Sequence, residues 1–173
     1  MNQLSDEYLM EKVKLGHIDY MSELFKRYNN QILNYLYKST GKLEDSQDLT
    51  QIVFIRLIKY RTSFNKSKSF KPWLYHIARN EINRHYQSKK DNILFVETPD
   101  IISNDLPDYE QDEKLYKCIN MLSDEYKDLI VLSKFQGLKY KEMAELFSTT
   151  EASIKNKIFR ALEKLRKIYF ETE

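Results

Sequence analysis

The stretch YKEMAELFSTTEASIKNKIFRALEKLRK, Tyr140 to Lys167, decides the reading of this chain. A short helix over Tyr140 to Phe147 carries Met143 and Ala144. Ser148-Thr149-Thr150 makes a tight turn, and a second helix, Glu151 to Tyr169, turns Ile154 inward. A small residue where two helices cross, then a turn, then an apolar anchor is a helix-turn-helix pattern. Its second helix would enter the major groove of duplex DNA through its N-terminal half. Ser153, Lys155, Asn156, Lys157 and Arg160 point outward from that helix, with Tyr140 at the start of the first as a further candidate. These side chains bond base edges and phosphates. A plain helical hairpin with a solvated basic face has the same spacing. Ser148 stands where such a turn usually has glycine, which enters the left-handed conformation freely.

Working outward, the composition is that of an all-α protein. The chain has 173 residues, 42% of them hydrophobic, with only three Gly and three Pro, so hairpin punctuation is nearly absent. One cysteine, Cys118, excludes an intramolecular disulfide and a cysteine-based zinc cluster, and His17, His76 and His85 lack metal-ligand spacing. No cofactor or metal is expected. The first residues show no signal-peptide pattern. The most apolar run, IVFIRLI, is broken by Arg56 and far too short to span a bilayer. The expectation is a soluble cytoplasmic protein without membrane insertion.

Charge divides the chain into three. Residues 1–90 carry a net charge of +7, residues 91–113 of −8 and residues 114–173 of +3. Arg56 to Lys90 holds ten basic residues and a single acid, Glu81, the footprint of a nucleic-acid binder. Apolar spacing predicts helices over Leu4–Leu15, Ile18–Ser39, Leu43–Tyr60 and Ser69–Lys90, then Glu110–Leu122 and Ser123–Phe135 ahead of the helix-turn-helix. Between the halves, an acidic stretch with Pro99 and Pro107 and no period reads as a flexible linker. The domains are therefore 1–90, a linker over 91–109, and 110–173.

The N-terminal half holds a second nucleic-acid pattern. In SFKPWLYHIARNEINRHYQSKK, Phe70, Leu74, Ile77 and Ala78 form a core stripe, while Trp73, His76, Asn80, Asn83 and Gln87 share another face, and Arg79 is interleaved as a further candidate. The preceding loop, RTSFNKSK, contributes Arg61, Asn65, Lys66 and Lys68. Aromatics for stacking, amides for base edges and cations for phosphates suit a single strand. A core Trp73 beside merely solvated polar residues has the same spacing. The helix before the loop, DSQDLTQIVFIRLIKY, is apolar almost all round. It is either a central core helix or has a partner, and Asp48, Gln51 and Ile55 share one of its faces.

DLTQIVFIRLIKY, FKPWLYHIARN, LSDEYKDLIVLSKFQGLKYKEMAELF and ASIKNKIFRAL, in this order, resemble the extracytoplasmic-function (ECF) group of bacterial sigma factors over nearly the whole chain, the linker excepted. The resemblance implies two small helical domains, region 2 and region 4. The first binds core RNA polymerase, melts the minus-ten element and captures its non-template strand. The second reads the minus-thirty-five element as duplex. It implies no catalysis by the chain itself, and an anti-sigma factor as a partner beside core polymerase and promoter DNA. Asp48, Gln51, Ile52 and Ile55 match the polymerase-binding face. The loop Arg61 to Lys68 matches the one that holds a flipped minus-ten base. Trp73 and Asn80 match positions at the melted fork, and Ser153, Lys155, Asn156, Lys157 and Arg160 match the recognition helix. Ile52, Arg84 and Ser123 depart from the usual Glu, Asp and Pro. The competing readings are a helix-turn-helix regulator that needs no polymerase core, and a metal-dependent nuclease. The nuclease lacks a third acid to join Asp45 and Asp48.

Overall fold

A computed structural model of the chain describes residues 4–91 and 113–171, and the described elements are all helical. The chain divides into two compact units, Met1–Pro99 and Asp100–Glu173. The linker expected over 91–109 lies outside the described residues apart from Asp91, the last residue of a helix. Among the described residues no helix is long and apolar enough to cross a membrane.

In the first unit, α1 (Asp6–Lys14) begins at Ser5, whose hydroxyl accepts the Tyr8 N–H at 3.2 Å, with Asp6 and Glu7 favourable in the first turn. A 3₁₀ turn, Ile18–Tyr20, leads into α2 (Met21–Thr40). Gly41 ends α2 in the left-handed conformation at φ 72°, its N–H on the Tyr37 carbonyl at 2.8 Å. Next come α3 (Leu43–Lys59), a 3₁₀ turn (Arg61–Ser63) and α4 (Phe70–Asp91). Pro72 is tolerated in the first turn of α4, where its missing N–H has no helical acceptor to lose. Apolar stripes from all four helices meet inside: Leu9, Met10 and Val13, Leu24, Ile32 and Leu36, Val53 and Leu57, Phe70 and Leu74 are all buried. Two edge-on ring pairs, Tyr35–Tyr75 and Tyr28–Phe70, each at 5.3 Å, lock α2 against α4. The Tyr28 hydroxyl donates to Asp6 at 2.5 Å. Burial first, and that bond second, push the phenol's pKa well above its ordinary value.

In the second unit, α5 (Glu113–Asn120) and α6 (Asp124–Ile130) precede α7 (Tyr140–Leu146) and α8 (Glu151–Glu171). The single helix expected over Ser123–Phe135 instead widens into a π turn at Val131–Phe135. There the Gln136 N–H reaches the Val131 carbonyl at 3.0 Å, and the Ser133 hydroxyl turns back to the Leu129 carbonyl at 2.7 Å. Cys118, Ile119, Leu122, Ile130, Ala161 and Leu165 form one core cluster.

The turn between α7 and α8 is a Schellman motif with serine in glycine's place. Thr149 N–H bonds the Ala144 carbonyl at 2.9 Å, Ser148 N–H bonds the Glu145 carbonyl at 3.3 Å, and Ser148 sits at φ 50°. Left-handed backbone costs an L-residue about 1–2 kcal/mol, partly offset here because serine loses less chain entropy than glycine on folding. Ser148→Gly is therefore expected to stabilise the second unit by about 0.5–1 kcal/mol in chemical denaturation. No gain would mean that the serine side chain compensates locally.

Candidate nucleic-acid interface

The loop before α4 is held by an apolar anchor. Phe64 is 1% exposed, and its ring stands edge-on to Trp73 at 5.2 Å and to Phe70 at 6.1 Å. The Lys14 ammonium donates to the Phe64 carbonyl at 2.6 Å. Burying Phe64 turns the neighbouring polar residues out: Asn65, Lys66 and Lys68 are exposed. The Asn65 side-chain amide oxygen accepts the Ser67 N–H at 3.0 Å and the Ser67 hydroxyl at 2.8 Å, an Asx turn that shapes the tip. Lys66 reaches Glu11 of α1 at 3.1 Å. Arg61 is half-buried and folds back to donate to the Ile58 carbonyl at 2.9 Å, closing the end of α3 rather than extending from the loop.

On α4 the polar face emerges beside this loop. His76 and Asn83 are exposed, while Arg79 and Asn80 are half-buried. The Asn80 amide nitrogen lies 3.4 Å from His76 Nδ1, one helical turn away. Trp73 belongs to both readings of the sequence: it packs on Phe64 and Phe70, yet it is only half-buried. The start of α4 is fixed from outside, because the Glu7 carboxylate of α1 accepts the Phe70 N–H at 3.0 Å. Farther along, Glu81 is buried and takes Arg84 at 2.5 Å and Arg56 of α3 at 3.4 Å. The unusual Arg84 thus has a carboxylate partner on its own helix.

The exposure pattern of α3 separates the two readings of its apolar circumference. Leu49, Val53, Phe54 and Leu57 are buried. Ile52 is 37% exposed and Ile55 63% exposed, next to exposed Asp48 and Gln51. One face of this helix is core and the opposite face leaves apolar side chains in water.

On α8, Ile154, Ile158, Ala161 and Leu165 face inward at helical spacing. Thr150 caps the helix, its hydroxyl accepting the Ser153 N–H at 3.2 Å. Lys155, Asn156, Lys157 and Arg160 are exposed, Ser153 is half-buried, and Tyr140 is exposed at the start of α7. Glu142 accepts the Lys139 N–H at 2.7 Å, which steadies the entry to α7. Lys157 is paired with Glu125 of α6 at 2.6 Å. Sequence reasoning missed the carboxylates that bind these faces from other helices, Glu7, Glu11 and Glu125. Only Glu81 stood out, as the lone acid in its basic block.

Two family models match this chain: Sigma-70 region 2 over residues 24–91 and Sigma-70, region 4 over residues 112–165. The RNA polymerase sigma factor YlaC of Bacillus subtilis is 29% identical over 162 residues, covering 88% of this chain and 94% of its own. The ECF RNA polymerase sigma factor SigW of the same organism is 28% identical over 174 residues, covering 91% and 93%. Among solved structures, the sigma factor RpoE of Bartonella quintana, determined with the anti-sigma factor NepR, superposes with a TM-score of 0.74. It has 20% identity and covers 90% of this chain and 99% of that one. An engineered region 2 of sigmaE in complex with GTAAAA superposes with a TM-score of 0.50 at 25% identity, covering 55% of this chain and 99% of that one. The chain belongs to the sigma-70 family, as an ECF-type sigma factor.

Proposed function

We propose that this chain binds core RNA polymerase and directs it to promoters, acting as a specificity subunit and not as an enzyme. The observation that carries the reading is the pairing of two different nucleic-acid surfaces on one chain. One is an amide and aromatic face beside a basic loop, suited to unpaired bases. The other is a helix-turn-helix suited to duplex. Residues 1–90 serve as region 2, 91–109 as the linker and 110–173 as region 4. The outward face of α3 (Asp48, Gln51, Ile52, Ile55) takes the polymerase. Asn65, Lys66, Lys68, Trp73, His76, Arg79, Asn80 and Asn83 handle the minus-ten strand, while Arg61 closes the end of α3 behind them. Tyr140, Ser153, Lys155, Asn156, Lys157 and Arg160 handle the minus-thirty-five duplex. The relative solved with GTAAAA supports the strand-binding role of region 2. The RpoE–NepR complex supports an anti-sigma factor as a partner of this chain, and the setting is the cytoplasm, where polymerase works.

Co-purification with bacterial core polymerase, followed by transcription from a pool of genomic fragments, tests the whole reading. Stable binding with new, discrete start sites is the expected result. Tight duplex binding by the chain alone, with no polymerase association, would instead establish a helix-turn-helix regulator. Within that assay, Asn80→Ala is expected to reduce open-complex formation about five- to 150-fold, for the loss of about 1–3 kcal/mol of base-edge bonding. Polymerase association should stay intact. Unchanged permanganate reactivity of the melted strand would remove Asn80 from that role.

A further inference from the structure

We infer that Glu125 is an electrostatic latch on Lys157, lowering the readiness of α8 to take up DNA phosphates of any sequence, and that Glu11 does the same to Lys66 in the first unit. The inference rests on the assignment of the two DNA-facing surfaces made above. In each unit, a lysine on the DNA-facing surface is paired with a carboxylate from a helix outside that surface. The distances are 2.6 Å for Lys157 Nζ to Glu125 Oε1 and 3.1 Å for Lys66 Nζ to Glu11 Oε1. The first pair is 46% and 54% exposed and the second 70% and 37%, so neither is a core feature, and surface pairs of this kind contribute little to folding.

The effect falls on binding instead. A lysine that neutralises a phosphate must first leave its carboxylate, and the carboxylate then remains as a bare negative charge close to the backbone. Sequence-independent affinity comes from just such cation–phosphate contacts. Hydrogen bonds to base edges by neutral groups such as Asn156 do not draw on that charge. A latch of this kind therefore weakens background binding more than recognition. The neighbouring acids Asp124 and Asp128 lie on the same helix as Glu125, and Lys127 between them is lowered in pKa by burial against the pull of both acids.

The test uses the full-length chain and fluorescence anisotropy with a labelled random-sequence duplex. Glu125→Gln is expected to tighten binding about two- to fivefold, the size of a surface pair. Lys157→Gln is expected to weaken binding and lower the slope of log K against log salt by about 0.9. In the Lys157→Gln background, Glu125→Gln should gain clearly less, because only the repulsion of the bare carboxylate is left to remove. No gain from Glu125→Gln alone, with Lys157→Gln still weakening, overturns the latch and leaves the surface assignment standing. An equal gain in both backgrounds also overturns it, since Glu125 would then act only through overall charge. No effect of Lys157→Gln removes Lys157 from DNA binding and the latch with it, leaving the rest of the α8 face to be judged on its own. The pair Glu11→Gln and Lys66→Gln, read on a labelled mixed-sequence single strand, decides the first unit by the same cycle.

Discussion

Ile55→Glu is expected to abolish co-purification with core RNA polymerase while the thermal melt stays where it was. Ile55 is 63% exposed on α3, so the fold asks little of it, and surface substitutions away from special features usually stay within about 0.5 kcal/mol. In the polymerase-bound state the same side chain would be enclosed, and a carboxylate there must shed water with no assigned cation to receive it. Enclosed interface anchors cost about 2 kcal/mol or more when lost, roughly thirtyfold in affinity, and an unpaired buried charge adds to that. Ile55→Leu, which keeps the apolar surface, should bind as before. Leu57→Glu should unfold the unit, because Leu57 is buried on the opposite face. Retained polymerase binding by a folded Ile55→Glu chain would remove the α3 face from the assignment.

Phe64→Ala is expected to destabilise the first unit by about 3–5 kcal/mol, the usual cost of emptying a buried phenylalanine site. The ring is 1% exposed, yet it belongs to a loop rather than to a helix. Its loss removes the surface on which Trp73 and Phe70 rest and frees the turn that presents Asn65, Lys66 and Lys68. Urea denaturation reads the stability. Strand binding should fall more than stability alone explains. Phe64→Leu keeps much of the volume, so it should recover most of the stability. A Phe64→Ala chain that melts like the parent would mean that the loop is positioned by its backbone bonds instead of its anchor.

Helix order and the buried stripes could be read from spacing alone, because Phe70, Leu74, Ile77 and Ala78, or Ile154 and Ile158, meet the core whatever lies beyond them. Apolar spacing does not say which side of α3 meets water, and only the family resemblance points to the face of Asp48, Gln51, Ile52 and Ile55. Ile52 and Ile55 are chemically the same as the buried Val53 and Leu57, and only the packing of α2 and α4 decides which are covered. The ends of helices were also hidden where the cap comes from a distant residue, as with Glu7 at the start of α4. The π turn at Val131 is a further case, since its residues suit an ordinary helix as well. Arg61 illustrates the limit for site residues: a basic residue in a basic loop is legible as a candidate, while its bond to the Ile58 carbonyl depends on how the loop folds.

The region 2 family model begins at residue 24, beyond α1, yet α1 reaches the proposed strand-binding surface through Glu7, Glu11 and Lys14. Those three side chains touch the first amide of α4, a lysine of the loop and the carbonyl of the loop's anchor. Drift confined to this short leading helix would thus retune the grip on an unpaired strand while every residue facing that strand stayed the same, which makes α1 a place where sister proteins could diverge in promoter behaviour without rewriting their reading surfaces.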